Sequence, residues 1–75
     1  MAKTSKRLVI CVSNTGYEVS LERRKIYVAI PDARAEKLDQ IRVIDESGED
    51  YLYPAEAFVP LTLPQPIRKA VLQAA

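Results

Sequence analysis

The chain carries few of the residue types that usually perform catalysis. It has no histidine and a single cysteine, Cys11. Histidine is the commonest general base near neutral pH, so its absence removes most zinc sites and the Ser-His and Cys-His nucleophile pairs. A lone cysteine is more often a small buried apolar residue than a nucleophile. The sequence therefore predicts a protein that is not an enzyme and that holds no metal and no cofactor.

Four carboxylates surround one turn of the chain: Asp45, Glu46, Glu49 and Asp50. Clustered carboxylates can bind Ca²⁺ or Mg²⁺ through their oxygen atoms. Their spacing does not match an EF-hand loop, and acidic residues at a hairpin tip commonly form turn hydrogen bonds and keep the tip in water. We therefore expect a solvated hairpin tip here rather than a metal site.

A stripe of cations and aromatic residues is the candidate binding pattern. If residues 23–27 are extended, alternate residues share a face, so Arg23, Lys25 and Tyr27 project to one side. Tyrosine rings can stack on bases while cations hold phosphates, which is typical of sites for RNA or single-stranded DNA. The alternative is cross-strand packing of the tyrosines, with the cations lending solubility. The full candidate stripe comprises Arg23, Lys25, Tyr27, Arg42, Tyr51 and Tyr53.

Length and composition predict a single folded domain. The chain has 75 residues, of which 48% are apolar and two are glycine. One cysteine provides no disulfide framework of the kind that small secreted domains use. No apolar run approaches the ~18 residues of a membrane span, and the run at residues 8–12 is too short for a signal-peptide core. We therefore expect a cytoplasmic protein without a membrane partner.

The formal net charge of +1 conceals a segregation of charges along the chain. Residues 1–25 hold six basic and two acidic residues, and residues 26–56 hold three basic and eight acidic ones. Residues 57–75 hold two basic residues and no acidic one. Such blocks can steer a partner or let copies attract each other, while the simpler interpretation is an ordinary mixed surface.

Five short segments have the composition of β-strands: residues 7–12, 25–30, 41–45, 50–53 and 58–63. Asp32 is placed to cap one helical turn at residues 33–38, and Gly48 provides the positive φ of a three-residue hairpin loop. Pro60 predicts an edge or a bulge in the last strand. Five short strands bury one face only by curling. We therefore predict a mainly β fold, in which a flexible tail at 1–6 precedes a small five-stranded barrel at 7–63 and a short C-terminal helix within 64–75.

The alternation of apolar residues assigns one face of each strand to the core. In the second strand this pattern turns Ile26 and Val28 inward and Tyr27 outward. The predicted core consists of Leu8, Ile10, Val12, Ile26, Val28, Ile30, Ile41, Val43, Leu52, Val59 and Leu61.

The C-terminal helix carries one apolar stripe, because Ile67, Ala70, Val71 and Ala74 fall at helical spacing. A helix this short is not stable alone in water. It must dock either on its own barrel or on another copy of the chain. These four residues are the candidate oligomer contact.

The order of the predicted elements resembles that of SH3-like barrels and of the closely related Sm-like barrels. The run from Tyr53 and Pro54 to Phe58 and Val59 is similar to the proline-then-aromatic turn before the last strand of SH3 domains. A separate 13-residue run, RVIDESGEDYLYP at residues 42–54, resembles the signature of a group of short, uncharacterised bacterial proteins. The resemblance implies a small β-barrel module, and the bacterial group implies no activity.

The chain departs from the binding motifs of both barrel families. It has no tryptophan and no Ala-Leu-Tyr-Asp-Tyr run, so the resemblance does not imply a groove for proline-rich peptides. Arg42 is followed by Val43, not by the glycine of the Arg-Gly pair in Sm-like RNA binders. We therefore predict a non-catalytic interaction module that contacts proteins and associates with itself. The alternative is an Sm-like barrel that binds RNA or a single-stranded nucleic acid.

Overall fold

The computed structural model describes residues 6–74, which are built around one five-stranded antiparallel sheet. Its strands are β1 (Arg7–Cys11), β2 (Ile26–Ile30), β3 (Gln40–Ile44), β4 (Asp50–Pro54) and β5 (Phe58–Leu61). The order in the sheet is β4-β3-β2-β1-β5, so β4 and β5 are its edges and the described strands form an open sheet. The prediction of a mainly β fold with five strands and a C-terminal helix is confirmed. Of the tail predicted at 1–6, all but Lys6 lies outside the described residues.

Three helical segments connect or follow these strands. The helix α1 (Ala33–Lys37) begins where predicted, because the Asp32 carboxylate accepts a hydrogen bond of 3.0 Å from the Ala35 amide. A 3₁₀ turn at Ala55–Ala57 precedes β5, and the helix α2 (Gln65–Ala74) follows it. Within residues 6–74, each helix is too short or too polar to cross a lipid bilayer.

The β3–β4 hairpin closes through Gly48, as the sequence predicts. Its φ is +87°, a region that residues with a Cβ adopt at a cost. The Gly48 amide donates to the Asp45 carbonyl at 2.9 Å, and the Asp45 amide donates to the Glu49 carbonyl at 3.1 Å. The predicted edge position of Pro60 is also confirmed, since it lies in β5.

The assignment of strand faces to the core was wrong for most strands. The core cluster lies on the opposite face from the predicted one, and Tyr27 and Tyr53 are both within it. Of the predicted core residues, only Val43 is buried in this cluster, and Ile41 packs against it. Leu8 and Val28 are buried on the other face, whereas Val12, Leu52 and Val59 are more than two-fifths exposed. The remaining predicted core residues are half-buried: Ile10, Ile26, Ile30 and Leu61. The cluster consists of Val9, Cys11, Leu21, Tyr27, Ala29, Val43, Tyr53, Ala57 and Phe58.

The physical reason for this inversion is the long loop at residues 12–25, which folds over that face of the sheet. Its Leu21 is completely buried in the cluster. Its Tyr17 ring stacks edge-on against Tyr53, with 5.1 Å between the ring centroids. The Asn14 side-chain amide donates to the Leu21 carbonyl at 3.0 Å, which holds the loop in its folded shape. We call the covered side the core face and the opposite side the outer face.

Candidate interaction surface

The six residues of the predicted stripe do not share one surface. Tyr27 and Tyr53 are each 5% exposed and lie on the core face. Tyr51 is half-exposed near the hairpin tip, where its hydroxyl donates to Glu49. Arg23 lies on the exposed surface of the long loop.

The two remaining cations of the stripe are engaged in ion pairs. The Lys25 ammonium lies 2.7 Å from a Glu46 carboxylate oxygen and 5.7 Å from the centroid of the Tyr27 ring. The Arg42 guanidinium is 2.9 Å from Asp32 and 2.9 Å from Asp50. The pairs take up charge that a phosphate backbone would otherwise contact.

Two tyrosine–carboxylate pairs fix the hairpin to the body, and we call them the hairpin anchor. The Tyr53 hydroxyl donates to Asp45 at 2.5 Å, and the Tyr27 hydroxyl donates to Glu46 at 2.5 Å. The Tyr27 oxygen also accepts from the Glu22 amide at 2.7 Å, which ties the long loop to the same point. Two of the four acidic residues at this turn are therefore structural hydrogen-bond acceptors.

The anchor shifts the titration of all four groups. Burial of Asp45 opposes its ionisation, but hydrogen bonds from Ser47 and Tyr53 outweigh burial and lower its pKa. The bonds from Lys25 and then Tyr27 lower the pKa of Glu46. Burial, followed by the bond to a carboxylate, raises the pKa of both Tyr27 and Tyr53. At neutral pH the carboxylates are charged and the phenols are neutral. Among residues 6–74, no three His, Cys, Asp or Glu side chains converge as a metal site.

These shifts predict that the free energy of unfolding falls at both ends of the pH scale. The folded state binds fewer protons on Asp45 and Glu46 than the unfolded chain, so their stabilisation is lost as pH falls below their ordinary pKa values of 3.8 and 4.5. The folded state retains the phenolic protons, so that stabilisation is lost as pH rises above the ordinary tyrosine value of 10.0. Urea unfolding at fixed protein concentration, followed across pH, measures both limbs.

Tyr53→Phe removes the hydroxyl that donates to Asp45. We expect the free energy of unfolding of this variant to depend less on pH at both the acid and the alkaline end. Tyr51→Phe is the matched control, because the Tyr51–Glu49 bond is exposed and solvent screens it. A pH profile that Tyr53→Phe leaves unchanged would contradict the role of the anchor.

The outer face of the sheet is also apolar. Register places Leu8 beside Val28, and Val28 beside Ile44, in one row across three strands. Ile10 lies beside both Ile26 and Val59 in the next row. In many antiparallel sheets one face contacts water and carries polar side chains. Here the second face is apolar as well, so burying it is favourable.

The helix α2 covers this face only in part. A groove of about 670 Å³ separates them, with Ile26, Val28 and Ile44 on its floor and Leu72 on its helical wall. The Arg68 guanidinium donates to the Lys6 carbonyl and holds the helix near β1. The helix therefore lies over the outer face without filling the space beneath it.

Most of the apolar stripe of α2 lies in solvent. Val71 is half-buried, whereas Ile67, Ala70 and Ala74 are exposed, Ile67 by 51%. No residue of the helix is buried. The half-buried residues of the helix are Arg68, Val71 and Leu72, so the stripe is partly covered at Val71. The four predicted contact residues are thus together on one side, with three of them in solvent.

Sequence reasoning missed the hairpin anchor, Leu21 and the groove. The position of Tyr53 in the strand that follows the acidic turn is a signal for one half of the anchor, because a buried phenol needs a hydrogen-bond partner. Tyr27 lies far from Glu46 in sequence, so its pairing leaves no such signal. The groove leaves no such signal, since it depends on where α2 lies. Comparison of the chain with protein-family models, with curated proteins and with solved structures finds no match.

Proposed function

We propose that the protein is a non-catalytic interaction module that associates with itself through α2. The single observation that carries this proposal is the apolar stripe of α2, of which Ile67, Ala70 and Ala74 are exposed and Val71 is half-buried. The occupant that we assign to it is a second copy of the chain.

The length of α2 supports a contact with another copy. A helix of ten residues is marginal in water, because its nucleation cost is spread over few hydrogen bonds. Its contact with its own sheet leaves Ile67, Ala70 and Ala74 in solvent. In a two-fold dimer both copies use the same stripe, so each copy's stripe covers that of the other. The small side chains of Ala70 and Ala74 permit close approach of the partner.

The edges of the sheet favour a side-chain contact over strand pairing. The Val12 amide donates to the Ala57 carbonyl, so the even-numbered residues of β1 form the hydrogen bonds to β5. Pro60 lies opposite the odd-numbered Val9, and its nitrogen therefore faces the free edge of the sheet. Proline has no amide proton to offer there. At the other edge, β4 ends at Pro54, which also has no amide proton to offer a copy.

The segregation of charges along the chain favours attraction between two copies. The segment 57–74 carries Arg68 and Lys69 and no acidic residue. The hairpin at 45–50 carries four carboxylates and no basic residue. Opposite charges on separate parts of one molecule attract a second copy at low ionic strength.

The fold that we infer for this module is an SH3-like barrel, in the cytoplasm. The support is the element order: a long loop after β1, a short helix between β2 and β3, a tight hairpin, a 3₁₀ turn and a last strand beside β1. A cytoplasmic location fits a buried, free thiol at Cys11. Binding to RNA or to single-stranded nucleic acid has less support. Of the predicted stripe, two of the three tyrosines are buried and two of the three cations are in ion pairs.

Light scattering on the purified chain tests self-association. We expect a mass twice the 8.4 kDa of one chain at micromolar to millimolar concentration. Ile67→Asp places a charge on the stripe and is expected to give the monomer without weakening α2, since acidic residues are favourable in the first turn of a helix. Lys69→Ala, on the other side of α2, is the control and should stay dimeric. A wild-type chain that remains at 8.4 kDa at millimolar concentration contradicts the proposal.

A further inference from the structure

We propose that a second groove, on the β5 side of the outer face, binds an acidic segment of a partner protein. We call it the basic groove, because three of the residues that line it are the cations Lys6, Arg7 and Arg68. It has a volume of about 280 Å³ and lies between the start of β1, the end of β5 and the first turn of α2. The four residues of the α2 stripe do not line it, so this proposal names a second partner and goes beyond self-association.

The positive charge of the basic groove is not balanced within it. Of residues 6–74, no acidic residue lines the groove. The Arg7 guanidinium lies 3.9 Å from a Glu36 carboxylate oxygen, but both side chains are more than half exposed, so solvent screens this pair. The Arg68 guanidinium donates to the Lys6 carbonyl, which is a neutral acceptor and leaves the charge uncompensated. An acidic ligand therefore gains attraction here without displacing a close ion pair.

Aliphatic side chains line the basic groove between the cations. Leu8 is 3% exposed, and register places it beside Leu61 on the outer face. Pro60 and Leu63 complete the apolar lining. Among the residues that the structure describes, no aromatic ring lines the groove, whereas sites for single-stranded nucleic acid commonly use aromatic rings as stacking platforms. Cations beside an aliphatic lining favour a peptide in which acidic and aliphatic side chains are close neighbours.

Two of the three cations are arginines, which suits recognition of carboxylates. A guanidinium is planar, and its paired N–H groups bind both oxygens of a carboxylate. The bond to the Lys6 carbonyl uses only part of the donor capacity of Arg68. The acidic hairpin at 45–50 joins β3 and β4, whereas the basic groove lies beside β5 at the opposite edge of the sheet. The groove thus attracts a negative partner on the side away from the charges that would repel it.

An amide NMR titration of the full chain with short synthetic peptides tests this proposal. The probe is a peptide of alternating glutamate and leucine, and its matched control has glutamine in place of each glutamate. We expect the acidic peptide to shift the amide signals of Leu8, Leu61 and Leu63 to saturation, and the glutamine peptide to leave them in place. The Kd should rise with ionic strength, because salt screens exposed charges. An acidic peptide that shifts none of these signals overturns the proposal. Tighter binding of an oligothymidylate than of the peptide overturns it in favour of a nucleic acid.

Variants of single cations test whether the basic groove itself holds the peptide. Arg7→Gln and Arg68→Gln should each raise the peptide Kd about three- to tenfold. Lys69→Gln is the matched control, because it removes the same charge from an exposed residue of α2 that does not line this groove, and its Kd should change less than about twofold. Arg68→Gln also removes the bond that holds α2 near β1, so Arg7→Gln separates binding from the position of the helix. An unchanged Kd for Arg7→Gln, or an equal rise for Lys69→Gln, would contradict the assignment.

Discussion

Leu21→Ala is expected to lower the free energy of unfolding by about 2–5 kcal/mol, although Leu21 lies in a loop rather than in a strand. Its side chain is fully buried in the core cluster. Truncation removes apolar contacts and leaves a cavity that the rigid sheet beneath it cannot fill. A domain of this length has a total stability of about 4–11 kcal/mol, so the loss is a large fraction of it.

Denaturant unfolding monitored by tyrosine fluorescence measures this effect, and Val19→Ala is the control. Val19 lies two residues away in the same loop and is 96% exposed, so its truncation should change stability by less than about 0.5 kcal/mol. Equal midpoints for the two variants would show that the long loop does not cover the core face.

The positions of the elements follow from local chemistry, which is why the sequence predicts them. Asp32 caps α1, Gly48 closes the hairpin and Pro60 lies in an edge strand. Each depends on the backbone of a few neighbouring residues. The strand bounds predicted from composition differ from those observed by no more than two residues at either end.

The choice of core face does not follow from the strands themselves, because both faces are apolar. In β2, Ile26 and Val28 alternate with Tyr27 and Ala29, and apolarity alone favours the isoleucine side. The core forms on the face that is packed more closely by a segment distant in sequence. The long loop brings Leu21 and the ring of Tyr17 to one side, whereas α2 brings only a loosely placed flank to the other.

The residues of the candidate contact surface could be predicted from the sequence, but their exposure could not. The stripe at Ile67, Ala70, Val71 and Ala74 is a property of helical spacing, so the sequence identifies it. Its exposure depends on the orientation of α2 about its own axis. The predicted nucleic-acid stripe is dispersed for the same reason as the core, since it requires Tyr27 and Tyr53 to face solvent.

Two neighbours in β4 give the sharpest test of the inverted faces. Tyr53→Ala is expected to lower the free energy of unfolding by about 3–5 kcal/mol. The ring lies 5.1 Å from Tyr17 and 6.2 Å from Phe58, and its hydroxyl is the donor to Asp45. Truncation opens a cavity and leaves a buried carboxylate without one of its donors. We therefore expect a chain close to unfolding at room temperature.

Leu52→Ala is the matched variant on the adjacent residue and the opposite face. Leu52 is 42% exposed, and its truncation should lower the free energy of unfolding by less than about 1 kcal/mol. The alternation of apolar residues alone predicts the reverse order, with Leu52 in the core and Tyr53 in solvent. Urea midpoints for both variants at one protein concentration decide between these two orders. A larger loss for Leu52→Ala than for Tyr53→Ala would mean that the core lies on the outer face, beneath α2, and that the stripe of α2 is the side of the helix that covers it.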